Sequence, residues 1–272
     1  MTKGLCNQDK HPTCTFQKVI QHKYKNMPED AVPVFGHVVS PRHKIFARLY
    51  RSEHKRNFYH IDHAYFFRSH YKTNPSNKIW YRISKNGHMQ TSLIKDADSS
   101  RWEKYFAHQH PVQEYNKTGK HILVCPLGGA YGACYGQDPK EWLQDVTKVL
   151  KDNTDRPIRV RNKPWFNIVK DKMVSDEKVS VDEDLEDCYA VVTHSSTVAI
   201  QAQLKGIPTF CDPSCCAVPV SHTDFTLIET PKYDKDIRQQ WLHTLSWSQF
   251  RLEDFSSGYV HRHIEETMYD GP

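Results

Sequence analysis

Hydrophobic and polar positions alternate along the chain in a way that predicts strands separated by helices. The clearest case is the stretch CYAVVTHSSTVAIQAQLKGIPTFC, residues 188–211. Tyr189 to Val192 is a short apolar run of buried-strand length. Polar Thr193-His194-Ser195-Ser196 follows, and then a helical pattern from Thr197 to Lys205, whose small Ala199 and Ala202 suit close packing on a sheet. Gly206 stops that helix, Pro208 prevents its resumption, and Ile207 to Cys211 is a second apolar run. The same pattern recurs upstream. His121 to Cys125 (HILVC) is a buried strand closed by Pro126, and a glycine-rich loop covers Leu127 to Gln137. Asp138-Pro139 caps a helix reaching about Lys151, with Trp142, Leu143, Val146, Val149 and Leu150 inward, and a strand follows over Arg156 to Arg161.

The N-terminal part repeats the theme less cleanly. Val32 to Phe35 reads as a strand ending at Gly36, Ser40-Pro41 opens a helix to about His54, and Phe58 to Ile61 is a strand ending at Asp62. Lys78 to Ser84 alternates like a strand before the turn signal Asn86-Gly87. Residues 91–117 read as irregular, and Lys235–His243 and Trp247–His263 read as terminal helices. These elements predict an α/β protein. Residues 1–30 are a lead-in, 31–117 an N-terminal α/β unit, 118–233 a C-terminal α/β unit, and 234–272 helices packing back on the body.

Charge changes this picture more than composition does. The 272 residues carry a formal +5. Between His37 and His88 eleven Lys and Arg face two acids, a net of +9 interleaved with aromatic residues, while Asp171 to Asp187 carries −6. A basic half of this kind attracts a polyanion. The first residues lack a secretory pattern and no apolar run reaches membrane-spanning length. With Cys125, Cys188 and Cys211 inside strand patterns, a cytoplasmic setting with reduced thiols is expected.

Three groups carry the candidate chemistry. The polar turn His194, Ser195, Ser196, Thr197 stands at a strand's carboxyl end and a helix start, a place fit for phosphate. Arg159, Arg161 and Lys163 recur at every second residue. Asp62 is a carboxylate at a strand end, where open α/β sheets hold their ligands. Gly36, directly after a strand, lets the backbone turn tightly or approach a ligand closely. Metal ligation by Cys6, His11 and Cys14 or by Cys211, Cys215, Cys216 and His222 lacks the paired spacing of a structural zinc site, and strand alternation points His60 and Asp62 to one face and His63 to the other, so no metal is expected. The Gly-Lys-Ser/Thr ending of a P-loop is absent from the glycine-rich loop.

Several stretches together carry a resemblance: PVFG (33–36), YHIDHAYF (59–66), WYRISKNGHMQ (80–90), HILVCP (121–126), RPIRVRNKP (156–164), VVTHSSTVAIQAQLKGIPTFCDP (191–213) and RQQWLHTLSWSQFRLEDFSSGYVHRHI (238–264). The chain resembles a family of small phage-encoded proteins with a GT-B-like glycosyltransferase layout, linked to DNA base modification. Its 191–210 stretch is also similar to donor-binding segments of capsule-polysaccharide glycosyltransferases. The resemblance implies a compact GT-B-like fold of two Rossmann-like domains facing a cleft. It implies transfer from a nucleotide-sugar, a UDP-sugar first, to a hydroxymethylated pyrimidine of DNA, with no permanently bound cofactor. Asp62 is then the base, and residues 159–163 and 194–197 meet the donor. Gly36, Arg68, Tyr81, Arg82 and Asn86 meet the acceptor. A glycosyltransferase acting on a surface polysaccharide, a non-catalytic nucleic-acid-binding protein, and a metallohydrolase around His60, Asp62 and His63 are the alternatives.

Overall fold

A computed structural model describes residues 34–36, 57–66, 80–128, 131–132, 135–162, 165–167, 172–174 and 180–267. Among these, the chain begins with β1 (Val34–Gly36), β2 (Tyr59–His63), β3 (Trp80–Lys85) and α1 (Ser100–Tyr105). Next come β4 (His121–Cys125), α2 (Pro139–Asn153), β5 (Ile158–Val160), the hairpin β6 (Trp165–Asn167) and β7 (Lys172–Val174), and α3 (Val181–Asp184). Then β8 (Cys188–Thr193), α4 (Val198–Leu204), β9 (Thr209–Cys211) and β10 (Ser221–His222) lead to α5 (Lys235–Trp247), β11 (Gln249–Arg251), α6 (Leu252–Ser256) and α7 (Tyr259–Thr267). The protein is a mixed α/β structure.

The larger sheet has five strands in the order β10-β9-β8-β4-β5, every neighbouring pair parallel. Strands β4 and β8 are buried at every position, as their unbroken apolar runs require when both faces are covered. On one face Trp142, Val146 and Leu150 of α2 pack on Ile122, Val124, Ala190 and Val192. The Asp138 carboxylate caps α2 as predicted, accepting from the N–H groups of Lys140 and Glu141. Helix α4 covers the other face. It ends before Gly206, whose φ of 71° is left-handed and where a Cβ would overlap the Glu114 carbonyl. Glycine is required there on both counts.

The sheet has a topological switch point. From β4 the chain moves out to β5, then returns to the other side of β4 for β8, β9 and β10. The strand order is therefore of the 2-1-3-4-5 type, which holds its ligand outside the carboxyl ends of the two central strands. Here those are β4 and β8. Thr193 ties them together, its hydroxyl donating to the Cys125 carbonyl at 2.7 Å.

The smaller sheet has the order β1-β2-β3-β11. Strands β1 and β2 are parallel, and β2–β3 and β3–β11 are antiparallel. Strand β11 lies inside a stretch whose spacing predicts a continuous helix over Trp247–His263. Ser248 ends α5, its N–H bonding the Leu245 carbonyl and its hydroxyl the Thr244 carbonyl. Three extended residues then bury Phe250 against β3, and Asp254 restarts the helix by accepting from the Arg251 N–H. Helix α1 falls in the stretch read as irregular, and there Trp102 and Phe106 enter the core.

One hydrophobic cluster draws on both sheets. Tyr65, Trp80, Trp102 and Phe106 from the first half pack with Ala199, Ile200 and Cys211 of the second and with Trp241, Leu242 and Leu245 of α5. Trp241 is fully buried and its indole N–H donates to the Cys216 carbonyl at 2.7 Å. The two sheets therefore share a packed core, and α5 is the wedge between them. Among the described residues, no helix is long and apolar enough to cross a membrane.

Candidate functional site

Two loops flank the switch point, the glycine-rich segment after β4 and the polar turn after β8. His194 directly follows β8 and is buried. Its Nε2 bonds Gln137 Oε1 at 2.9 Å, and its Nδ1 lies 3.1 Å from Ser195 Oγ and 3.3 Å from Ser214 Oγ. Burial lowers the imidazole pKa, against the opposing pull of Asp212, whose carboxylate is 3.8 Å from Nε2. The ring is neutral at pH 7. With Nε2 donating to Gln137, Nδ1 is the acceptor for the two serine hydroxyls. Ser195 and Ser196 are half-buried and Thr197 is buried. The Ser196 hydroxyl accepts from the Val198 N–H at 3.3 Å and its own N–H donates to Thr193 Oγ1 at 3.2 Å, whereas the Thr197 side chain makes no cap.

Asp62 sits on β2 one residue before the strand's end, in register with Arg82 of β3. The sequence ends the strand at Asp62 itself, and the structure carries it one residue further to His63. Both carboxylate oxygens are engaged. Oδ1 accepts from the His63 N–H at 2.7 Å, and Oδ2 accepts from Arg82 Nη2 at 3.1 Å and from the Tyr131 hydroxyl at 2.6 Å. Arg82 is equally committed, donating through Nε to the His88 carbonyl and through Nη1 to the His63 carbonyl. Burial works against its charge, but Asp62, followed by Tyr65 and Tyr131, outweighs that and holds the guanidinium pKa up. Arg82, which the resemblance assigns to the acceptor, is thus a buried counter-ion of Asp62.

The glycine-rich loop joins the two centres. Tyr131 reaches Asp62, and its ring lies 4.6 Å from that of His88. Tyr135 bonds His88 Nδ1 through its hydroxyl and packs its ring 4.9 Å from that of His194. Burial first, and then the Arg82 charge, push the His88 pKa well below its usual value. A line of polar and aromatic groups thereby runs from Asp62 on one sheet to His194 on the other.

The other predicted residues lie in different places. Gly36 pairs with Ile61 on β1, one register step from Asp62. Tyr81 is half-buried in the cluster of Ile61, Ile83, Phe250 and Phe255, on the face of β3 opposite Arg82. Asn86, at φ 56°, bonds Phe58 and Asn57 at the far end of β2, roughly 13 Å of strand from Asp62. Arg159 is exposed on β5, and Arg161 pairs with Asp184 of α3. Arg68 and Lys163 lie outside the described residues, as do nine of the eleven cations of the basic run. Cys6, His11 and Cys14 lie outside them too. Among the described residues, no group of three or more His, Cys, Asp and Glu is arranged to hold a metal.

His88, Tyr131, Tyr135, Gln137, Asp212 and Ser214 join the site without having been singled out. Asp212 and Ser214 follow β9 at its carboxyl end, so the strand-end rule that selected Asp62 selects them as well. Tyr131 and Tyr135 are four residues apart, a helical spacing that the surrounding glycines hide.

No protein-family model matches the chain, and no curated protein matches it. Among solved structures it is similar to Thermosulfurimonas dismutans KpsC, described as a beta Kdo 2,4 transferase. The TM-score is 0.43 and the identity 10%, over 78% of this chain and 78% of that one. At that level the likeness carries neither a fold nor an activity over to this protein.

Proposed function

We propose that the protein is a glycosyltransferase of compact GT-B-like design. It moves a sugar from a nucleotide-sugar, bound over the β4/β8 switch point, to an acceptor hydroxyl on the Asp62 side. The observation that carries this reading is the line of contacts from Asp62 through Tyr131, His88 and Tyr135 to His194, which brings a carboxylate and a phosphate-suited turn to one seam. A glycosyl transfer of the inverting kind needs both. The bond between the anomeric carbon and the donor phosphate breaks, and the phosphate leaves with the electron pair. The acceptor oxygen bonds that carbon, and its proton passes to Asp62. Backbone N–H groups and hydroxyls at Ser195, Ser196 and Thr197 meet the leaving phosphate. Arg159, Arg161 and Lys163, on and after the strand beside β4, supply positive charge. The donor is expected to be a UDP-sugar, and no resident cofactor is needed.

The acceptor follows from charge. The net +9 over residues 37–88 favours a polyanion. Together with the family resemblance, this points to a hydroxymethylated pyrimidine of DNA, extruded from the stack to reach the site. The deciding experiment incubates the protein with hydroxymethylated DNA, unmodified DNA or an anionic polysaccharide, each with a panel of nucleotide-sugars, followed by mass spectrometry of the nucleosides and glycans. A sugar adduct on the hydroxymethylated base is the expected result. An adduct on the polysaccharide alone makes the acceptor a glycan, and donor turnover with none of them removes the activity.

A further inference from the structure

Asp62 receives one of its hydrogen bonds from the opposite half of the molecule. Tyr131 belongs to the loop after β4, whereas Asp62, Arg82 and His88 belong to the small sheet and its edge. We infer that Tyr131 is a positioning residue for Asp62, fixing one carboxylate oxygen from the donor side so that the carboxylate is aimed when the two halves are docked. The inference rests on the reading of Asp62 as the base.

Local structure makes Tyr131 suited to this. It lies in a single tight turn, in which its own N–H and that of Gly132 both bond the Gly128 carbonyl, at 3.0 and 2.9 Å. A Cβ at position 132 would come within 2.7 Å of the Gln137 carbonyl and 3.1 Å of the Pro139 ring, so the turn is pressed against the capped start of α2. The ring is held against His88 at 4.6 Å. The phenol therefore reaches Asp62 from a braced support.

Among the described residues, several elements face Asp62. His60 shares its face of β2, Tyr65 follows β2, Arg82 is on β3, His88 follows β3, and Tyr131 comes from the β4 loop. Arg82 is the fixed positive charge, with Tyr65 beneath it at 5.4 Å. Burial leaves His88 neutral and raises the Tyr65 phenol beyond the titration range of interest. Tyr131 is the neutral donor on Oδ2, and it is half-buried where Arg82 is buried. A donor that bonds the ionised carboxylate lowers its pKa, so removing that donor raises it.

The test is Tyr131→Phe in the full chain, which keeps the ring on His88 and removes the hydroxyl alone. Carbon-13 carboxyl titration of labelled aspartate, with Asp62 assigned from the Asp62→Asn spectrum, reads the carboxylate directly. The midpoint is expected to rise by roughly 1 pH unit. The acid limb of the pH–turnover profile should move with it, donor affinity should hold, and turnover should fall roughly 10-fold. An Asp62 midpoint unchanged in a variant that melts like wild type overturns the inference. Faster transfer or a lower acceptor KM overturns it too, because Tyr131 would then be standing where the acceptor binds. If wild type turns over no donor, the proposed function fails, while the carboxyl titration still decides whether Tyr131 governs Asp62.

Discussion

The ring of Tyr135 lies 4.9 Å from the ring of His194, and the Tyr135 hydroxyl bonds His88. One side chain of the glycine-rich loop thus touches a residue that follows β8 and another that follows β3. The loop is a connector between the sheets, and glycine at 132 lets it pack closely enough to connect them. Its tyrosines fill the seam that the switch point opens on.

The shared core predicts joint unfolding. Trp241 packs in the cluster that contains Trp80 and Phe106 from one half and Ala199 and Ile200 from the other. Trp241→Ala should destabilise the protein by about 3–5 kcal/mol. Tryptophan fluorescence and far-UV circular dichroism during urea unfolding should still report one coincident transition. Two separated transitions in wild type would mean that the halves fold independently.

The donor assignment predicts a contrast on β5 and α3. Arg161→Ala should weaken nucleotide-sugar binding by about 1.5–3 kcal/mol if a charged hydrogen bond to the donor is lost. Asp184→Asn releases Arg161 from its ion pair and should strengthen binding. Calorimetry with UDP-glucose and related donors measures both. Equal affinities in wild type and both variants would assign Arg161 to holding α3 alone.

Acid should destabilise the fold through its buried histidines. Burial lowers the His263 pKa from 6.5 to about 4, outweighing the opposing hydrogen bond to the Trp247 carbonyl. Below pH 6.5 the unfolded chain binds a proton that the folded one refuses, so stability falls with pH until about 4. The slope is about 1.4 kcal/mol per pH unit per group. His88 and His194, both lowered by burial, act in the same direction. Urea unfolding between pH 7.5 and 4.5 should give this slope, and His263→Gln should flatten it. An identical slope in the variant would assign the acid sensitivity to other groups.

The parallel sheet was legible in the chain and the seam was not. Strands β4 and β8 are buried at every position and carry unbroken apolar runs, Ile122–Cys125 and Tyr189–Val192, because both faces are covered, and Asp138-Pro139 and Gly206 punctuate the helices. Those are local signals. Strand β11 gives none. Three residues are too few for a period, and their pairing with β3 is a contact across more than 160 positions. The partners of Asp62 were hidden for the same reason. Arg82 reads as one more cation in a basic run, and only β2–β3 register turns it inward. Tyr131 and Tyr135 read as loop aromatics until the second sheet is docked.

The burial of Asp62 changes what its replacement should do. On position alone, Asp62→Asn removes a base and leaves a turn intact, with turnover falling on the order of 10²–10⁴. In the folded protein, Asp62 is also the counter-ion of a buried arginine, at 3.1 Å with both side chains almost fully covered. The Asn variant leaves that guanidinium buried without its anion, a change that destabilises by about 3–5 kcal/mol. Both losses are therefore expected together, and loss of activity alone does not separate a base from a strut. A second substitution does. Arg82→Met beside Asp62→Asn removes the stranded charge and should recover much of the stability, since an apolar side chain of similar length can fill the space. A catalytic base is not recovered this way. Thermal melting and single-turnover transfer at saturating donor, measured on wild type, Asp62→Asn and the double variant, give the two readouts. Restored melting with transfer still depressed identifies Asp62 as the base. Transfer that returns together with stability identifies it as a structural ion, and the proton acceptor must then be sought at His88 or His194.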